Sequence, residues 1–127
     1  MVKYFYLLLI TIVFISCKKE AGFGGQGSIK GKVYAYDYSP SGTLNSQAYV
    51  GGVNVYIAVT GSGNILKQVD SDYQGNYTFE ELREGKYTLW VYSDCDSCTD
   101  NKTPVVQTID LSGNKDEKVL PDFKINL

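Results

Sequence analysis

Few residues of this chain are equipped for chemistry, and the set is defined first by an absence: it contains no histidine. That removes the side chain most often used as a general base at neutral pH or as a metal ligand, together with every Ser-His or Cys-His nucleophile pair. The cysteines are Cys17, Cys95 and Cys98. Cys95-Asp96-Ser97-Cys98 falls in a polar loop between two expected strands, so it lacks the helix N-terminus that would lower a thiol pKa for redox exchange. Thr99 stands where a haem attachment sequence needs histidine. Outside the cytoplasm the pair is expected as a local disulfide, with a metal site or free thiols as alternatives. Asp94, Asp96 and Asp100 crowd the same loop and read as a solvated acidic surface rather than a cation site.

A second acidic run, Asp70-x-Asp72-x-Gln74-Gly75 with Glu81 beyond it, nearly repeats the ligand spacing of a calcium loop and fails at Gln74. Such a loop needs flanking helices. Tyr77 and Phe79 alternate as a strand does inside this one, so a β-hairpin turn is expected and Asp70, Asp72 and Glu81 remain the metal alternative. No cofactor is expected.

The remaining candidate chemistry is aromatic. From residue 28 onward apolar side chains recur at every second position, with turn residues at intervals of about ten, the pattern of an antiparallel sandwich. Seven strands are predicted, at 28–38, 53–59, 65–70, 76–79, 86–93, 104–111 and 119–126. Odd-numbered residues make the expected core: Ile29, Val33, Val53, Val55, Ile57, Val59, Tyr87, Leu89, Val91, Ile109, Leu111, Phe123 and Ile125. The even-numbered, outward set is rich in rings: Tyr34, Tyr36, Tyr38, Tyr56, Trp90 and Tyr92. Of these, Tyr34, Tyr36, Tyr56, Trp90 and Tyr92 are the candidate ligand contacts, a flat platform for sugar rings or a partner protein. The alternative is that tyrosine suits exposed strand positions through cross-strand packing alone.

With 127 residues and a net charge of −2, the chain has the size of one domain and no electrostatic attraction for nucleic acid. Its first residues have another purpose. One lysine, Lys3, precedes an apolar run from Tyr4 to Ile15 that is shorter than the roughly 20 residues a spanning helix needs, so an export signal is expected over residues 1–16. Phe14-Ile15-Ser16-Cys17 resembles the lipobox of bacterial lipoproteins, with Phe14 in place of the usual leucine. The resemblance implies acylation of Cys17, which becomes the mature N-terminus, and several acyl chains give stable anchoring. The alternative is an ordinary signal peptide with Cys17 near its cleavage point. Residues 18–27 are expected to be a flexible tether. Lys18-Lys19-Glu20 lacks the aspartate associated with inner-membrane retention, which points to the outer membrane of the cell envelope, facing the periplasm or the surface.

Residues 28–93 resemble the carboxypeptidase regulatory-like domain, a seven-stranded, Greek-key, transthyretin-like (prealbumin-like) β-sandwich of exported bacterial proteins. Ile29-Lys30-Gly31-Lys32-Val33 is similar to the family's opening strand. Val50-Gly51-Gly52-Val53-Asn54-Val55-Tyr56 is similar to its second segment without the proline. Asp72, Gly75, Tyr77, Phe79, Leu82, Gly85, Tyr87 and Leu89 match a third, more specific segment in spacing. The resemblance places the sandwich at residues 28–127 and implies a structural or interaction module, not an enzyme, whose partners are the membrane through its lipid, envelope proteins or glycans. Transthyretin-like hydrolases share the fold but use histidines. In related adhesin domains a lysine and an asparagine form an internal amide; Lys32 and Asn126 would be the pair, but Val91 stands where the catalytic glutamate belongs.

Overall fold

Strand β1 (Phe23–Tyr38) is the spine of the first sheet, and its length lets each of its two edges carry two shorter strands. The chain is described for residues 20–113 and 115–127 by a computed structural model, which has nine strands in two sheets. Along one edge of β1 run β5 (Asn76–Leu82), paired with Gly27 to Lys32, and β2 (Leu44–Tyr49), paired with Tyr34 to Tyr38, both antiparallel. Val33 joins them: its N–H donates to the carbonyl of Gly75 at 2.9 Å and its carbonyl accepts from the N–H of Val50 at 3.2 Å. Along the other edge run β8 (Glu117–Val119) and β9 (Phe123–Asn126), both parallel to β1. Pro121 lies between them, where a residue without an N–H interrupts the ladder.

The second sheet is wholly antiparallel, in the order β4 (Lys67–Asp70), β3 (Asn54–Val59), β6 (Gly85–Asp94), β7 (Lys102–Leu111). The core between the sheets follows the expected parity. Ile29, Val33, Val55, Ile57, Tyr87, Leu89, Val91 and Phe123 are fully buried, with Leu111 and Ile125 nearly so. Val53, Val59 and Ile109 are half-buried against it. Even-numbered Leu82 joins the core because Glu81, at φ 60°, takes a left-handed step that inserts one residue into β5, after Tyr77 and Phe79 have pointed inward. Across the open end of the sandwich, the N–H of Asn126 donates to Ser93 Oγ at 2.8 Å and ties β9 to β6.

The all-β sandwich is therefore observed, with four differences of detail. Seven expected strands become nine, because β2 forms where the sequence has no strand pattern and the last strand divides at Pro121. β4 starts at Lys67 rather than residue 65. β8 and β9 pair in parallel with β1, since the chain leaves β7 in the opposite sheet and enters the first sheet running alongside β1. Finally, the stretch expected as tether enters the sheet at Phe23, five residues ahead of the expected boundary, because Gly22 is already pinned. Its N–H donates to the Tyr87 hydroxyl at 2.9 Å and its carbonyl accepts from the Arg83 N–H at 2.8 Å.

Candidate functional site

In an antiparallel ladder directly paired residues share a face, so register alone assembles the outer surface of the β4-β3-β6-β7 sheet. Gln68 pairs with Tyr56, Tyr56 with Trp90, and Trp90 with Val106, which makes one row across four strands. The next row places Tyr92 beside Pro104. Tyr56 and Trp90 lie with ring planes 14° apart and centroids at 5.5 Å, and Tyr92 meets Tyr56 edge-on at 5.7 Å. Tyr92 and Val106 are about half exposed, at 47% and 54%. Three aromatic rings, a valine and a proline thus form one apolar surface. Asn54, Gln68, Thr88 and Thr108 supply hydrogen-bonding groups on strand positions around it.

Beside Trp90 this surface dips into a groove of about 260 Å³, with Ala58 and Thr88 on the floor and Gly61, Gly63 and Ile65 of the β3–β4 loop opposite. Gly61 and Gly63 both have positive φ, so the loop turns back over the sheet without side chains of its own to fill the space. Ala58 is an even-numbered residue yet 7% exposed, because that loop and Trp90 cover it. The Thr88 hydroxyl is engaged with that of Thr60 at 2.9 Å, which fixes one edge of the floor.

The other expected contacts, Tyr34 and Tyr36, lie elsewhere. They stand on the outer face of the first sheet with Tyr38 and, across the β1–β2 ladder, Tyr49. Tyr34 meets Tyr49 and Tyr36 edge-to-face, at 5.0 Å and 5.3 Å, so these rings spend much of their surface on one another. Tyr49 is also tied down: its hydroxyl donates to Asp122 at 2.8 Å, which raises its pKa, and Lys32 Nζ lies 4.8 Å from the ring centroid. The outer faces of a sandwich look in opposite directions. The five residues expected to act together are therefore divided, Tyr56, Trp90 and Tyr92 on one side and Tyr34 and Tyr36 on the other.

Cys95 and Cys98 form the expected disulfide, with Cα atoms 5.4 Å apart, in the loop between β6 and β7. The residues of the metal alternative are not brought to one site. The Asp72 carboxylate accepts from the backbone N–H groups of Asn76 and Gln74, each at 2.9 Å, which holds its pKa below the usual carboxylate value and closes the β4–β5 turn. Glu81 is at the far end of β5, a strand's length away from Asp70 and Asp72. Among the described residues no group of three or more His, Cys, Asp or Glu side chains could hold a metal ion. Lys32 pairs with Asn76, and Asn126 with Tyr36, so no Lys32–Asn126 amide is geometrically available. Cys17 and the export signal lie outside the described residues.

Sequence reasoning missed Ala58, Val106 and the groove. Gly61-Ser62-Gly63 ahead of an apolar Ile65 was the signal for a loop that folds over a sheet, but period-two counting assigns loops to no face.

No family model and no curated protein matches the chain. Solved structures similar to it include the following two. One is a candidate carbohydrate binding protein from Pseudomonas aeruginosa, at 15% identity and a TM-score of 0.49, covering 76% of this chain and 88% of that one. The other is the 5-hydroxyisourate hydrolase of Klebsiella pneumoniae, at 16% identity and a TM-score of 0.46, covering 86% and 94%. These are likenesses of fold. The second corrects one expectation: an enzyme stands among the chains of similar architecture, so the inference that this domain is not an enzyme no longer holds.

Proposed function

We propose that this chain is a lipid-anchored protein of the cell envelope whose sandwich binds glycans on the outer face of the β4-β3-β6-β7 sheet. The observation that carries the reading is the contiguity of Tyr56, Trp90 and Tyr92 on one side, with a groove beside Trp90 and polar strand residues around it. Pyranose rings present C–H faces that pack on aromatic surfaces, while their hydroxyls need hydrogen-bonding partners at the margin. The anchoring half of the proposal rests on the lipobox-like ending at Cys17 and on the apolar run before it. Outer-membrane attachment follows from the residues after Cys17.

A glycan array probed with the full chain and with Trp90→Ala tests the binding half. Binding to a defined class of glycan, lost in Trp90→Ala and kept in a Tyr34→Ala/Tyr36→Ala variant, is the expected result. An array with no Trp90-dependent signal removes the glycan reading. It leaves a protein-interaction module, which the tyrosine strip of the first sheet favours through Tyr38, Leu44 and Tyr49, exposed at 44%, 41% and 41%. Mass spectrometry of the membrane fraction tests the anchor: an N-terminal peptide starting at an acylated Cys17 is expected, and an intact leader would overturn it.

A further inference from the structure

The groove beside Trp90 has a chemistry of its own. Ala58 and Thr88 pair across β3 and β6 to make its floor, Trp90 is one wall, and Gly61, Asn64 and Ile65 form the other. Among the described residues none that lines it carries a charge. In the next row of the same face Lys86 stands opposite Asp110, so those two charges offset each other. Nothing here would compensate a carboxylate, sulfate or ammonium group, and an ion taken out of water without a partner is costly. The occupant is therefore neutral. At about 260 Å³ the groove is also smaller than the roughly 300–1,000 Å³ that encloses a whole drug-sized ligand, so it holds a ring substituent and the edge of one ring.

The walls define what that substituent must offer. Ile65 is 58% exposed and faces the Ala58 methyl and the indole across the groove, so an apolar group placed among them removes water from all of these surfaces. Asn64 supplies the polar side. The Ser62 hydroxyl accepts from the Asn64 N–H at 3.3 Å and donates to the Asn64 carbonyl at 3.4 Å, which engages the backbone of that residue. Its side-chain amide makes no hydrogen bond among the described residues, and it presents both donors and an acceptor. The Thr88 hydroxyl, bonded to Thr60, has capacity for one partner more. A methyl group joined to an amide meets all of these conditions. A hydroxyl or hydroxymethyl leaves the apolar walls wet, and a bare methyl makes no use of Asn64.

We propose that this groove is the specificity pocket of the glycan surface and takes the acetamido group of an N-acetylhexosamine residue, with its methyl between Ile65 and the indole and its amide on Asn64. The proposal rests on the glycan reading and names the sugar class that reading leaves open. A glycan array printed with matched pairs tests it: chitotriose beside cellotriose, and an α-N-acetylgalactosaminide beside the α-galactoside, each pair differing in acetamido against hydroxyl. It is probed with the full chain and with Trp90→Ala, Asn64→Ala and Ile65→Ala. Asn64 and Ile65 are exposed, so both substitutions leave the fold intact, and a thermal melt of each variant verifies it. The bound glycans are expected to carry the acetamido group, with their hydroxyl counterparts about tenfold weaker or more. Asn64→Ala and Ile65→Ala are expected to bring that ratio toward one without abolishing binding, whereas Trp90→Ala loses both members of a pair. Trp90-dependent binding that is equal within the pairs, that is confined to sugars without an acetamido group, or whose preference survives in both groove variants overturns the proposal and leaves the glycan reading standing. Absence of any Trp90-dependent signal removes the two together.

Discussion

The hydroxyl of Tyr87 accepts from the Gly22 N–H at 2.9 Å and donates to the carbonyl of Arg83 at 2.6 Å, four residues back in the chain. One side chain thereby closes the β5–β6 turn and fixes the start of β1, in the manner of a tyrosine corner. Burial pushes its pKa up, partly offset by the bond from Gly22. Tyr77 is buried as well, and its ring lies across Gly31, where any Cβ would overlap the hydroxyl. Its hydroxyl has no partner among the described residues, and burial raises its pKa. An unmet polar group in a core is a cost, whereas a bonded one is a gain that leaves two further groups unmet when removed. The two Tyr→Phe substitutions should therefore move stability in opposite directions. Tyr87→Phe is expected to lose about 1–3 kcal/mol, and Tyr77→Phe to gain about 1 kcal/mol, as read from thermal or urea melts. Equal losses from both would mean that the Tyr77 hydroxyl is satisfied after all.

At the scale of the strand, β5 depends on the step at Glu81. A residue with a Cβ at φ 60° costs about 1 kcal/mol relative to glycine, and Glu81 is exposed, its carboxylate making no hydrogen bond among the described residues. Glu81→Gly is expected to raise the urea midpoint without altering its slope, while Leu82 keeps its place in the core. A fall in stability would show that the glutamate side chain contributes something the backbone does not reveal. The same bulge marks the limit of what period two can say. Ile29 to Ile125 could be placed inward from parity because each lies on a strand with one buried face. Leu82 broke parity through a backbone step that no residue type announces. β2 was invisible for a different reason: Leu44 to Tyr49 are exposed throughout, so no alternation exists to be read, and the strand is held by its ladder with β1 and by the contacts of Tyr49 at its end. The division between β8 and β9, by contrast, was written in Pro121 and could have been anticipated.

Across the whole molecule, parity placed Tyr34, Tyr36, Tyr56, Trp90 and Tyr92 outward but was silent on which outside, because inward and outward are properties of a strand while sharing a surface is a property of the sheet order. Once β1 and β6 are found in different sheets, the five residues become two surfaces, and the one that holds Trp90 has a groove directly beside that ring. That separation makes the molecule report on itself. Trp90 is the single tryptophan of the chain, half-buried against Tyr56 and at the edge of the groove, so its emission samples the β4-β3-β6-β7 face and nothing else. Replacing Tyr56 with alanine uncovers one face of the indole to water and should shift emission to longer wavelength. Replacing Tyr34 or Tyr36 on the opposite sheet should leave the spectrum unchanged. A glycan seated on Trp90 should do the reverse of Tyr56→Ala, excluding water, moving emission to shorter wavelength and protecting the indole from quenching by acrylamide. A glycan that bound with no change in emission would have to occupy some other surface, and the tyrosine strip on the first sheet would be the place to look for it.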